Sequence, residues 1–149
     1  MSHHLVDFFG FFGPEVDSCH MELLSLTIEG DPVSKARPRF SKQGHTYTDR
    51  KTVAAEAQIR KLAKALITEP YEGKVGIALQ FYCATRRRTD GDNLQKLVMD
   101  ALNKVAFVDD YLVEESFWRV HRKAEGEAPR TEIFLYTLDE DRPEPTELS

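Results

Sequence analysis

Thr89-Asp90-Gly91-Asp92-Asn93-Leu94-Gln95-Lys96 sets two carboxylates and a lysine close together, where an alternating apolar run gives way to a helical one. In an extended segment Asp90 and Asp92 point the same way. Two carboxylates that close repel unless a cation lies between them, and hard oxygen donors suit magnesium or manganese rather than zinc. Helix capping is the competing explanation, with Asp92 as N-cap and acids favoured near the positive end of the helix dipole. Capping leaves Asp90, Gly91 and the preceding Arg86-Arg87-Arg88 without a role. A calcium loop is excluded: counted from Asp90, Gln95 falls where glycine is required and Ala101 where the bidentate glutamate belongs. Lys96 lies four residues after Asp92 and shares its helical face, opposite Leu94 and Val98. Beside metal-bound carboxylates such a lysine contacts a scissile phosphate or stabilises developing negative charge. As a plain ion pair it contributes only about 0.3–0.5 kcal/mol. Asp109-Asp110 follow one helix later. Adjacent carboxylates do not easily share one cation, so one ligand and one supporting residue are expected. Alone they read as an acidic turn; folded back, they complete a three-carboxylate site.

These residues need elements to hold them. Leu24, Leu26 and Ile28 alternate with polar neighbours, a half-buried strand ended by Gly30-Asp31-Pro32. Val33 to Thr48 is basic and without helical period, a loop or loose hairpin turning at Gln43-Gly44. A helix is predicted from about Arg50 to Ile67, capped by Thr48 or Asp49, with Ile59, Leu62, Ala63 and Leu66 on one stripe. Val75, Ile77, Leu79, Phe81 and Cys83 alternate in the clearest strand pattern of the chain. A second helix, about Asn93 to Lys104, turns Leu94, Leu97, Val98, Ala101 and Leu102 to the core. Strands near Ser116–His121 and Glu132–Leu138 follow. Phe117 and Trp118 read as core, and His45 and His121 have no evident task. The pattern predicts an α+β (mixed α/β) fold, a small mixed sheet covered by two main helices.

The bounds are those of one domain: 149 residues, 41% hydrophobic and 30% charged. Residues 1–20 read as an extension, 21–138 as the folded domain and 139–149 as an acidic, proline-bearing disordered tail. Phe8-Phe9-Gly10-Phe11-Phe12 is too short and glycine-broken for a span or a secretory signal, which points to the cytoplasm; its phenylalanines would dock on the domain or on a partner, and Met21 is an alternative start. Cys19 and Cys83 are read as two reduced thiols, neither a disulfide scaffold nor a zinc pair. The net charge of -5 hides a segregation. Residues 30–88 carry 13 Lys and Arg against 5 Asp and Glu, while 89–149 carry 7 against 15. A basic middle beside an acidic remainder suits a protein that holds a polyanion on one surface and divalent cations on another, although uneven surface charge alone requires neither.

Arg86 to Lys96, Asp100-Ala101-Leu102-Asn103 and Asp109-Asp110-Tyr111-Leu112-Val113 together resemble the RusA family of Holliday junction resolvases, whose pattern is D-x-D-N-x-x-K, a D-A-L-N/T helix and D-D-x-x-V. Pro32-Val33-Ser34-Lys35-Ala36-Arg37-Pro38-Arg39-Phe40 and Tyr47-Thr48 are similar to phage-borne members, and the likeness covers roughly Leu23 to Leu138. The resemblance implies magnesium, with manganese able to substitute, held by Asp90, Asp92 and Asp110, Asp109 being a substitute or support. It makes Lys96 the catalytic lysine. It further implies a homodimer that resolves four-way DNA junctions by paired symmetric nicks, in recombination, repair or phage DNA processing. Lys35, Arg37, Arg39, Lys42, Arg50, Arg86, Arg87 and Arg88 would grip phosphates. No membrane and no small-molecule cofactor are expected. A non-catalytic branched-DNA binder and a flap or branch endonuclease of broader specificity are the rival readings. The extension to His20 and the overall acidity depart from the family's usual pattern.

Overall fold

Alternating apolar residues give each strand one face to bury, and the helical stripes give the layer that covers it. The computed structural model describes residues 21–36, 39–44, 46–47, 49–122 and 126–138. The elements run β1 (Glu22–Glu29), β2 (Arg39–Phe40), β3 (Thr46–Tyr47), α1 (Arg50–Leu66), β4 (Val75–Tyr82), α2 (Gly91–Leu102), a short 3-10 turn (Asp110–Leu112), β5 (Val113–His121) and β6 (Arg130–Thr137). The proposed extension, the acidic tail, Cys19 and His45 lie outside the described residues.

The main sheet has the order β1-β6-β4-β5. β6 is antiparallel to both β1 and β4, whereas β4 and β5 are parallel, joined by a crossover that contains α2. The two central strands, β4 and β6, are buried over almost their whole length. Leu24 and Leu26 of β1, Ile77, Leu79 and Phe81 of β4, and Ile133 and Leu135 of β6 meet Ile59 and Ala63 of α1 and the full apolar stripe of α2 in one core. Each such buried leucine contributes about 1.5–3 kcal/mol relative to exposure. The predicted α+β fold is the observed one.

Boundaries move, and their causes are local. α2 begins at Gly91 and ends at Leu102, because Asp90 rather than Asp92 is its N-cap: an Asp90 carboxylate oxygen accepts the Asp92 backbone N–H at 3.2 Å. Lys104, expected inside the helix, has a positive φ of 67° and closes a turn in which its N–H donates to Phe107 O. Asp49 stands at the N-cap of α1 but makes no capping bond with its side chain. The basic segment forms the small β2–β3 hairpin, turned at Gly44 with φ 85°. β5 is longer than predicted and lies at the sheet edge, so Phe117 and Trp118, expected in the core, are 39% and 41% exposed. An edge strand in a parallel pair has a neighbour on one side only. Cys83 is a buried free thiol, and burial, then the Asp31 charge, push its pKa up.

Candidate active site

The chemistry-bearing segment is the junction between β4 and α2, braced from three sides. Asp31, just past β1, accepts the Ala84 N–H at 2.9 Å and pairs with Arg87 at 3.1 Å. Arg87 also donates to Pro32 O, while Arg122, just past β5, donates to Arg87 O and to Thr89 O. Lys35 N–H donates to Asn93 O on the other flank. Gly91 admits the Trp118 ring: a Cβ at this position would come within 2.2 Å of a ring carbon. Glycine therefore stands between the two aspartates because an aromatic side chain of the edge strand rests against the start of the helix.

From this start α2 carries Asp92, Lys96 and Asp100 at spacings of four residues, one face of the helix. They line an open cleft of about 470 Å³ together with Asn93, Gln95, Met99 and, from beyond the helix, Asp110. The 3-10 turn presents Asp110, because Asp109 caps it, accepting the Asp110 N–H at 2.7 Å. The structure thus brings Asp92, Lys96 and Asp110 to one cleft. Asp90 is the helix cap, exposed but outside the lining.

Asp100 is the cleft residue that sequence reasoning left without a role; its signal was its place at i+4 from Lys96 and i+8 from Asp92. Its carboxylate pairs with Lys35 at 3.1 Å, and its backbone carbonyl accepts from Arg60. Lys35 in turn pairs with Glu56 at 2.5 Å. Burial draws the Lys35 pKa down, but the hydrogen bonds and charges of Glu56 and Asp100 outweigh it and hold the ammonium above lysine's ordinary value.

Of the other residues expected to grip phosphates, Lys42, Arg50, Arg86 and Arg88 are exposed, Arg87 is exposed but tied to Asp31 and Pro32, and Arg39 opens β2. Arg37 lies outside the described residues. Arg60, Lys61 and Lys64 line a second basic concavity on α1.

Among the described residues no three His, Cys, Asp or Glu side chains converge to hold a metal by themselves. The donors of the cleft nevertheless fit magnesium, which keeps several waters and is held by one or two carboxylates plus substrate phosphates. Asp92 and Asp110 in an open, water-accessible cleft meet that requirement, and no thiolate or imidazole lines it.

Among the described residues no helix is long and apolar enough to cross a membrane. No curated protein is similar to the chain at a significant level. The family model for the endodeoxyribonuclease RusA matches residues 29–136, a stretch that runs from the end of β1 to the end of β6 and contains the whole cleft. The chain therefore belongs to the RusA endodeoxyribonuclease family.

Proposed function

We propose that this nuclease is a magnesium-dependent, structure-specific endodeoxyribonuclease that resolves four-way DNA junctions by paired nicks as a homodimer, in recombination, repair or phage DNA processing. The observation that carries the proposal is the convergence of Asp92, Lys96 and Asp110 on one cleft within the stretch matched by the family. Asp92 and Asp110 would hold magnesium, with Asp90, the helix cap, as a third oxygen donor and Asp109 fixing the turn. Bound there, the ion supplies a more acidic water and charge neutralisation at the phosphate. Lys96 lies on the lining and meets the scissile phosphate, where its ammonium stabilises charge that develops as the phosphodiester is attacked. The products are a 5′-phosphate and a 3′-hydroxyl.

Exposed Lys42, Arg50, Arg86 and Arg88 grip phosphates along the arms, a contact that ignores sequence. A four-way junction has approximate two-fold symmetry, so a two-fold dimer would present two clefts to opposed strands. The test is a nicking assay with magnesium or manganese across junction, flap and linear substrates. Symmetric junction nicks support the proposal. Equal cutting of flaps favours the broader branch endonuclease, and binding without cutting in either metal leaves only a branched-DNA binder.

A further inference from the structure

Lys35 opens the basic segment, where a phosphate-gripping lysine is expected, but its ammonium is engaged within the protein. It sits between Glu56 of α1 at 2.5 Å and Asp100 of α2 at 3.1 Å, and its side chain is 24% exposed. Its backbone is fixed as well: Lys35 N–H donates to Asn93 O at 2.9 Å, and the next N–H, that of Ala36, donates to the buried Thr52 hydroxyl. Asp100 is held at both ends, its carboxylate by Lys35 and its carbonyl by Arg60. The cleft wall thus carries three carboxylates, Asp92, Asp100 and Asp110, of which Asp100 has a cation built in beside it.

We propose that Lys35 is a positioning residue, an internal counter-ion that neutralises and fixes Asp100 so that an incoming divalent cation is directed to Asp92 and Asp110. The inference rests on the reading of the cleft as a cation site. An unpaired Asp100, two helical turns from Asp92, would offer a second place for the ion. Lys35 prevents this by charge and by geometry. Glu56 shares the ammonium and keeps it oriented while it is largely withdrawn from water. The same contacts lock the start of the basic segment onto both helices, so Lys35 is not one of the phosphate contacts.

The test uses Mn2+ alone as probe, titrated into the full chain and followed by electron paramagnetic resonance, with junction affinity measured separately in EDTA over a salt series. Lys35→Met removes a positive charge facing the cleft, so Mn2+ should bind severalfold more tightly while magnesium-supported nicking falls. Glu56→Gln has the opposite sign: it removes a negative charge and leaves the ammonium to Asp100, so Mn2+ binding weakens. Lys35→Arg keeps the charge and should stay near the wild-type Mn2+ affinity. In EDTA the Lys35→Met salt slope should equal that of the wild type. Unchanged Mn2+ affinity in both Lys35→Met and Glu56→Gln overturns the proposal. So does a drop of about 0.9 in the salt slope for Lys35→Met, the signature of one lost phosphate contact. If Asp92→Asn and Asp110→Asn leave Mn2+ binding untouched, the cation reading of the cleft fails by its own test, and the slope in EDTA still decides whether Lys35 faces DNA.

Discussion

One carboxylate oxygen of Asp90 accepts the Asp92 N–H, so its capping duty and any duty toward a cation can be separated by substitution. Asparagine caps as well as aspartate, whereas alanine does not. Asp90→Asn should therefore keep the wild-type melting temperature and lose nicking, while Asp90→Ala loses about 1 kcal/mol of stability in addition. Asp92→Asn and Asp110→Asn should abolish nicking with junction binding intact, and Asp109→Asn, which retains a capping oxygen, should be milder. Single-turnover assays beside gel shifts and thermal melts check all five; near-normal turnover in Asp90→Asn, Asp92→Asn or Asp110→Asn excludes that side chain from the ligand set. Lys96→Ala should lower single-turnover nicking by orders of magnitude without moving the melting temperature or the affinity. Lys96→Arg keeps the charge, but its broader, planar head should misplace it, so activity should still drop strongly. A Lys96→Ala enzyme that nicks at the wild-type rate would return this lysine to an ordinary surface ion pair.

Beyond its ladder with β4, the edge strand β5 makes a side-chain contact with α2 and another with β4, and each makes an element-scale prediction. Trp118 is the chain's sole tryptophan and rests against Gly91. Gly91→Ala places a methyl where the ring lies, so the ring must move outward. Its emission should shift to the red, and the melting temperature should fall by the equivalent of about 1–3 kcal/mol of overpacking. An unchanged emission spectrum would mean that the ring does not define the start of α2. On the other face His121 stacks on Tyr82 at 4.3 Å, and its Nε2 is 2.7 Å from the Gln80 side-chain oxygen. Burial, reinforced by the Arg119 charge, lowers the His121 pKa below its ordinary 6.5. The unfolded chain then takes up this proton more readily than the folded one. The contribution to stability is complete above pH 6.5 and is lost as the pH falls from there through the folded pKa. Thermal melts should show this decline in the wild type and a flatter profile in His121→Gln; equal slopes would remove His121 from the acid sensitivity of the fold.

Over the whole molecule the sign of the net charge misleads. The protein carries -5, yet residues 30–88 contribute a net +8 with Asp31 and Glu56 already counted, and Asp100 and Glu114 from outside that stretch pair with Lys35 and Lys74. The exposed remainder includes Lys42, Arg50, Arg86 and Arg88, with Lys61 and Lys64 on α1. If four of these neutralise phosphates, doubling the salt should weaken junction binding about tenfold, since each contact adds about -0.9 to the log–log slope. Lys61→Glu combined with Lys64→Glu should weaken binding further if a DNA arm crosses α1, and leave it unchanged if it does not. A flat salt response would remove the basic segment from the interface altogether.

The apolar periods of β1 and α2 and the Ile59–Ala63 part of the α1 stripe determined which residues face the core, because the repeat is written locally. Leu66, expected on the same stripe, is exposed at the end of α1, and β4 is buried on both faces because it is a central strand. The carboxylate and lysine types of the site were legible for the same reason: Asp92 and Lys96 share a helical face whatever surrounds the helix. Which aspartate caps α2 depended on where the helix starts, and that is decided by the braces from Asp31, Arg87 and Arg122, residues far apart in sequence. The exposure of Phe117 and Trp118 depended on β5 taking an edge position, a matter of strand order that no alternation pattern encodes. Lys35 shows the same limit from the side of charge. Its sequence neighbours are basic, so it read as a phosphate contact, but its partners come from two helices, and only the packing of α1 against α2 brings Glu56 and Asp100 to one ammonium. Local pattern thus selected the elements and the chemistry they carry, while the partners of each charge were set by long-range packing, since an ion pair depends on distance in space and not on separation along the chain.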